Sequence, residues 1–313
     1  ALRLRDGFLI VAMFWVVLSA AAAIPLLVAG RPDLSTTDAL FEAVSGLTTT
    51  GATILINLDT YPRSILYYRQ QLQWLGGMGI IVLAVAVLPM LGVGGMQLYR
   101  AETPGPVKDN KLSPRIAQTA KWRWRVYLGM TVACGFAYWG AGMDPFDAIG
   151  HAFSTVAIGG FSTHDASLGY YSLIGLEGAG IIEMVAVFFM FIAGANFALH
   201  FAAFYPLSRW KPPSFRLYLR DSEFRAYATG LLFLIVFVVG RLIQSGQYED
   251  MSEAVTKGLF QAVSMATTTG FTTDNYSAWP GALPVLLILA SFVGGCAGST
   301  GGGMKVIRWL LIY

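Results

Sequence analysis

The sequence is poor in the residues that carry most covalent and metal chemistry. Among 313 residues it holds 2 cysteines and 3 histidines. Cys134 and Cys296 both sit in apolar runs, which excludes a disulfide framework and any Cys/His spacing suited to a metal. His151, His164 and His200 are scattered, and packing or hydrogen bonding is the reading for each. Without a clustered His, Cys or carboxylate set, nothing points to an enzyme. Charge is scarce as well: 12% of residues are charged against 55% apolar, too few to cover a soluble globule of this size. The net charge of +3 resides in basic residues that flank apolar runs, not in a nucleic-acid face.

Long apolar runs are what the chain has instead. A helix crossing a bilayer needs roughly 20 mostly apolar residues. Residues 8–29, 72–96, 126–143, 184–208 and 278–304 qualify, and 226–240 is a shorter run with Arg225 and Arg241 able to snorkel at its ends, which predicts about six spans. The first run is too long for a signal h-region and lacks a small-residue cleavage site, so it reads as a span and no targeting segment is evident. Basic residues mark the cytoplasmic connections: Arg100, Lys108, Lys111, Arg115, Lys121, Arg123 and Arg125 in one, and Arg209, Lys211, Arg216, Arg220 and Arg225 in another. The alternate connections are acidic, with Asp144, Asp147 and Asp165 in one and Glu249, Asp250, Glu253 and Asp274 against Lys257 in the other. Acidic outer vestibules concentrate cations.

These outer connections contain an internal repeat. The window from Asp38 to Gly51 aligns without a gap on Asp147 to Gly160 and on Lys257 to Gly270. Ala43, Ala152 and Ala262 coincide, as do Ser45, Ser154 and Ser264, and the closing glycines are evenly spaced. Each window is about a dozen residues, too short to cross roughly 30 Å of hydrocarbon as a helix. A re-entrant half-helix is the expectation. Irregular backbone at membrane depth is tolerated only where it is buried in protein or lines water. The segments that follow, Thr48 to Thr53, Ala157 to Thr163 and Thr267 to Thr273, are therefore expected to face a pore. Glycine permits the dihedrals that turn successive carbonyls one way, and carbonyl rings replace the hydration shell of potassium.

A helix, half-helix, filter and second helix, repeated three times, with the first and third filters ending in Thr-Thr-Thr-Gly, resembles the superfamily of Trk, Ktr and plant HKT cation transporters. Three strings sharpen the resemblance to its bacterial TrkH family: Tyr68-Arg-Gln-Gln-Leu-Gln-Trp-Leu-Gly-Gly-Met-Gly79, Ala157-Ile-Gly-Gly-Phe-Ser-Thr-His-Asp-Ala166 and Gly294-Gly-Cys-Ala-Gly-Ser-Thr-Gly-Gly-Gly-Met-Lys305. The resemblance implies an all-α membrane protein of helix–pore-helix–helix units around a pseudo-fourfold pore, three of the four units being present. The units fall at residues 1–96, 126–208 and 226–313, joined by basic connections at 97–125 and 209–225. A fourth unit is expected in the natural protein. Potassium would bind at Thr49, Thr50 and Gly51, at Ile158, Gly159 and Gly160, and at Thr268, Thr269 and Gly270. Glycine rather than serine at Gly51, Gly160 and Gly270 goes with potassium in that superfamily, and no other cofactor is implied.

The last span carries glycine at a density that breaks helices, each costing about 1 kcal/mol relative to alanine. The resemblance implies an intramembrane gating loop there, comprising Gly294, Gly295, Gly298, Ser299, Thr300, Gly301, Gly302, Gly303 and Lys305; close helix packing through small residues is the alternative. Gly76 to Gly79 and Ala193 to Asn196 are its counterparts, much less broken and better read as packing, so that only the third unit is equipped to move. Gly298 to Gly303 has the gap of a Walker A loop, but Met304 stands where that motif needs lysine. Lys305 suits a snorkelling interfacial residue or a partner for a carboxylate that holds the gate. Glu183 needs a structural partner or a wet vestibule. Asn275-Tyr-Ser277 fits a glycosylation pattern, idle in a bacterium.

Two function classes follow. One is potassium uptake across the bacterial inner membrane through a channel-like pore; the other is an alternating-access, cation-coupled solute transporter. Filters all on one side make the repeats parallel and favour the pore. The resemblance further implies a homodimer and a cytoplasmic, TrkA-like nucleotide-binding subunit docked on the basic connections.

Overall fold

The computed structural model describes residues 4–30, 33–77, 79, 116–204 and 212–312. Among them the chain is helical, with no strand beyond an isolated bridge between Val293 and Met304. The helices fall into three groups of like order. The first has α1 (Leu4–Val28), the short α2 (Thr36–Leu47) and α3 (Arg63–Gly77). The second has α4 (Ile116–Gly140), the short α5 (Pro145–Val156), and a second helix in two pieces, α6 (Ala179–Ala193) and α7 (Phe197–Phe204). The third has α8 (Ser222–Ser245), α9 (Met251–Ala266), α10 (Leu283–Phe292) and α11 (Val306–Ile312).

Capping residues fix where the short helices start. The side chain of Ser35 accepts from Asp38 N–H, Asp144 from Phe146 N–H ahead of Pro145, and Asp250 from Ser252 N–H, each satisfying a donor that the first turn leaves free. α2 packs on α1 and α3, α5 on α4 and α9 on α8; in addition α5 lies against α3, and α9 against α6. Each later short helix is thus wedged between its own group and the preceding one, which passes the three groups around a common centre.

The surface is inverted relative to a soluble protein. α6 buries Ile182, Glu183, Ala186, Met190 and Ala193 on one face and exposes Ile181 and Phe188 on another, while α8 exposes Leu232, Phe233 and Val236. Glu42, Arg69, Gln70, Gln73, His151 and Gln261 are buried instead. Apolar outside and polar inside is the arrangement that hydrocarbon solvent selects.

Several spans differ from expectation. By length and composition α8 is an unbroken helix able to cross a bilayer, and it is longer than the run 226–240 because Asp221 caps it at Phe224 N–H and Gly246 closes it at φ +66°. The run 184–208 is not one span: α6 and α7 meet at a bend of 95°. Of 278–304 only Leu283–Phe292 is helical at the start, and the rest is irregular. α4 begins ten residues before 126, so Arg123 and Arg125 lie on it. Residues 80–96 of the second predicted span, and Arg100, Lys108, Lys111, Arg115, Arg209 and Lys211, lie outside the described residues.

Candidate functional site

The ends of α2, α5 and α9 close with one hydrogen-bond pattern. Thr48, Ala157 and Thr267 N–H bond the carbonyls of Val44, Phe153 and Val263. Thr49, Ile158 and Thr268 N–H bond Gly46, Thr155 and Met265, and Thr50, Gly159 and Thr269 N–H reach back to Ser45, Ser154 and Ser264 at 2.8–2.9 Å. This is the Schellman arrangement, whose left-handed residue is ordinarily glycine. Here it is Thr49 (φ 54°), Ile158 (φ 54°) and Thr268 (φ 68°). A β-branched residue at positive φ is an outlier, and three at equivalent positions mark a conformation that the surroundings impose. Two residues on, Gly51, Gly160 and Gly270 also have positive φ, 75°, 79° and 85°.

The three segments converge. A methyl on Gly51 would sit 2.0 Å from the Gly159 carbonyl oxygen and 3.7 Å from that of Thr269; one on Gly160 would sit 2.0 Å from the Thr269 oxygen. First and second, second and third, and first and third segments therefore all approach one another. No side chain fits at either glycine. These contacts bring together Gly51, Gly159, Gly160, Thr269 and Gly270, with the C-terminal, carbonyl ends of α2, α5 and α9 leading toward them.

Beneath it lies the irregular stretch 293–305, folded back on itself by Gly294 N–H to Met304 O and Val306 N–H to Gly295 O. Thr300 Oγ1 donates to the Val156 carbonyl at 3.0 Å, and Gly302 N–H donates to Thr268 Oγ1 at 2.7 Å. Cys296 N–H donates to Gly194 O, and Phe197 N–H to Gly298 O. A Cβ on Gly295 would be 2.6 Å from the Gly194 oxygen. The break at Ala193 to Asn196 is thus more than the close packing expected of it: the chain turns there, Asn196 Oδ1 receives Ala198 N–H to start α7, and the buried backbone freed by the turn bonds the glycine loop. Glu223 Oε1 accepts Ala297 N–H of the loop at 2.6 Å and Ile307 N–H of α11 at 3.2 Å. Lys305 Nζ donates to the Gly301 carbonyl. Gly76 and Gly77 lie at the end of α3, beside the backbones of Leu47 and Ala157.

Residues to which sequence reasoning gave no role complete the site. Arg69 on α3 is fully buried, pairs with Glu42 at 2.6 Å, donates to Thr53 Oγ1 and to the Ser162 carbonyl, and lies 4.3 Å over the Phe161 ring. Gln70 Nε2 donates to Phe161 O, and Gln73 bonds the backbone on both sides of Gly160. Their signal was available: three polar residues at i, i+1 and i+4 of a helix with buried apolar neighbours. Glu183 finds a partner in Lys257 of α9, 2.6 Å away. His164 lies between Asp147 and Asp59 and stacks on Tyr170; His151 bonds Ser162 Oγ and Asp147 O, and His200 bonds Tyr218 and Ile192 O. Burial opposes the charge on His164, but its bonds to the carboxylates of Asp147 and Asp59 outweigh that and raise its pKa.

Short helices whose ends gather irregular, glycine-bearing backbone inside an apolar shell define a helical membrane protein. The sequence profile of the TrkH family, described as cation transport protein, matches residues 1–313, and the chain belongs to that family. It is a multi-pass protein of the inner membrane. The Trk system potassium uptake protein TrkH of Vibrio parahaemolyticus is 56% identical over 99% of this chain and 62% of its own length. The protein of that name from Escherichia coli K12 is 54% identical over 100% and 62%, and TrkG from the same strain is 44% identical. The crystal structure of the Vibrio parahaemolyticus potassium transporter TrkH superposes with a TM-score of 0.83 at 51% identity, covering 98% of this chain and 60% of that one. The chain spans about three fifths of the length of these relatives.

Proposed function

We propose that this chain carries three of the filter segments, and the gating loop, of a channel-like potassium-uptake protein that does no covalent chemistry. The observation that carries the reading is the convergence of Gly51, Gly160 and Gly270 at the ends of three equivalent Schellman turns. Backbone oxygens of the triplets 49–51, 158–160 and 268–270 would replace the hydration shell of potassium, and the carbonyl ends of the three short helices favour a cation there. A fourth segment in the full-length protein would complete the ring. The loop 293–305, bonded to the second and third filter ends, would block the path and move aside to open it. Similarity to proteins named for potassium uptake supports the choice of ion. Within the same reading the protein is a homodimer, and a TrkA-like nucleotide-binding subunit docks on the basic inner connections. The test is ion flux into liposomes holding the full-length protein. Potassium should pass in preference to sodium, and Gly160→Ser, which has no room beside the Thr269 carbonyl, should abolish the preference. Equal permeation by both ions in the wild type would overturn the proposal.

A further inference from the structure

The second filter segment lacks the bracing that the other two share. In the first, Thr48 Oγ1 pairs with Thr50 Oγ1 at 2.7 Å and Ser45 Oγ donates to the Ala52 carbonyl. In the third, Thr267 pairs with Thr269 at 2.7 Å and Ser264 Oγ donates to Phe271 O. The second has Ala157 and Gly159 where the others have threonine, and buried Ser154 Oγ finds no hydrogen-bond partner among the described residues. The carbonyl that Ser154 would be expected to hold, Phe161 O, accepts from Gln70 instead.

Gln73 stands where the missing threonine side chain would be: a Cβ on Gly159 would lie 2.4 Å from its Cδ. Its amide donates from Nε2 to Gly159 O at 2.6 Å and accepts at Oε1 from Phe161 N–H at 3.0 Å. These bonds fix both peptide planes that flank Gly160. In a planar trans peptide the N–H and C=O point opposite ways. Holding Phe161 N–H toward α3 therefore sends the Gly160 carbonyl away from α3, into the cluster of filter segments.

We propose that Gln73 is a positioning residue for ion selectivity, an amide supplied by the second helix of the first group that aims the filter carbonyl of the second. The inference rests on the potassium-filter reading. It makes the geometry of one filter segment depend on the placement of a neighbouring transmembrane helix, where the first and third segments are braced from within by their own hydroxyls.

The experiment measures the potassium-to-sodium permeability ratio of the full-length protein in liposomes. Gln73→Glu keeps the shape but loses the donor and sets a carboxylate against the Gly159 carbonyl; Gln73→Leu loses both bonds. Both should lower the ratio about tenfold or more, the scale of one buried hydrogen bond lost. Ser154→Ala, which breaks no bond, should leave the ratio unchanged. If Gln73→Leu does not fold, the isosteric Gln73→Glu carries the test, with thermal unfolding confirming a native fold. A selective wild type together with a fully selective, folded Gln73→Glu overturns the role of Gln73 alone. A wild type without preference overturns the filter reading and this inference with it.

Discussion

The second glycine-bearing segment and its two neighbours reach the same backbone geometry by different means, and the difference separates what a repeat encodes from what a fold supplies. Thr49, Ile158 and Thr268 share positive φ, and the turn bonds around them agree within tenths of an ångström. In the first and third segments the threonines and Ser45 or Ser264 make their own scaffold. In the second, Arg69, Gln70 and Gln73 reach across from α3 to the backbone of 159–162. Both kinds of hold offset the same cost, since the β-branched side chains of Thr49, Ile158 and Thr268 each resist the left-handed conformation by roughly 1–2 kcal/mol.

The sharpest way to break the comparison is at the root of the external hold. Glu42→Ala leaves the buried guanidinium of Arg69 without its counter-charge. Removing one partner of a buried pair costs about 3–5 kcal/mol, so a large fall in thermal unfolding temperature is expected, with loss of selectivity in whatever remains folded. A Glu42→Ala protein as stable as wild type would mean that Arg69 does not anchor the second segment.

A smaller effect distinguishes the internal scaffolds. Ser264→Ala leaves the buried Phe271 carbonyl unpaired and should destabilise by about 1–3 kcal/mol. Ser154→Ala, at the equivalent position, should stay within about 0.5 kcal/mol of wild type, as substitutions that break no interaction do. Equal losses at the two serines in parallel unfolding measurements would show that the second segment uses its own hydroxyl after all.

The smallest expected effect concerns the outer rim, where His164 ties Asp147 of α5 to Asp59 of the first group. Its pKa is raised in the folded protein. The contribution of its imidazolium is therefore complete below the ordinary imidazole value of ~6.5 and is lost as pH rises through the higher folded value. Unfolding temperature should accordingly fall slightly across that window, and His164→Asn should flatten the profile. A wild-type profile that rises there would contradict the assigned pairing.

Much of this site was legible in the residues. The aligned windows located three short helices and their closing glycines, because capping and Schellman turns are local and leave a local pattern. The glycine-dense stretch after Phe292 was visible for the same reason. The 95° bend between α6 and α7 was not: Ala193 to Asn196 is no poorer as a helix former than many unbroken stretches, and it turns because its carbonyls are claimed by Cys296 and the glycine loop, residues about a hundred positions away. Arg69, Gln70 and Gln73 were seen only as part of a familiar string, since their partners lie far along the chain, on α2 and Thr53 for Arg69 and in the next repeat for all three. Lys257 was placed only as the first residue of the third aligned window; its pairing with Glu183 gives both residues a partner.

By itself the sequence determined that the chain lives in a bilayer, that three short helices end in glycine-bearing turns, and that a further helix must break near Gly294, all consequences of composition and of contacts within a few residues. The tertiary structure alone decided which glycine-bearing segments meet, which buried charges are paired, and that the backbone of the second segment is bonded by a helix outside its own repeat. Those outcomes depend on bonds between residues far apart in the chain, and a hydrogen bond of that kind leaves no periodicity to read.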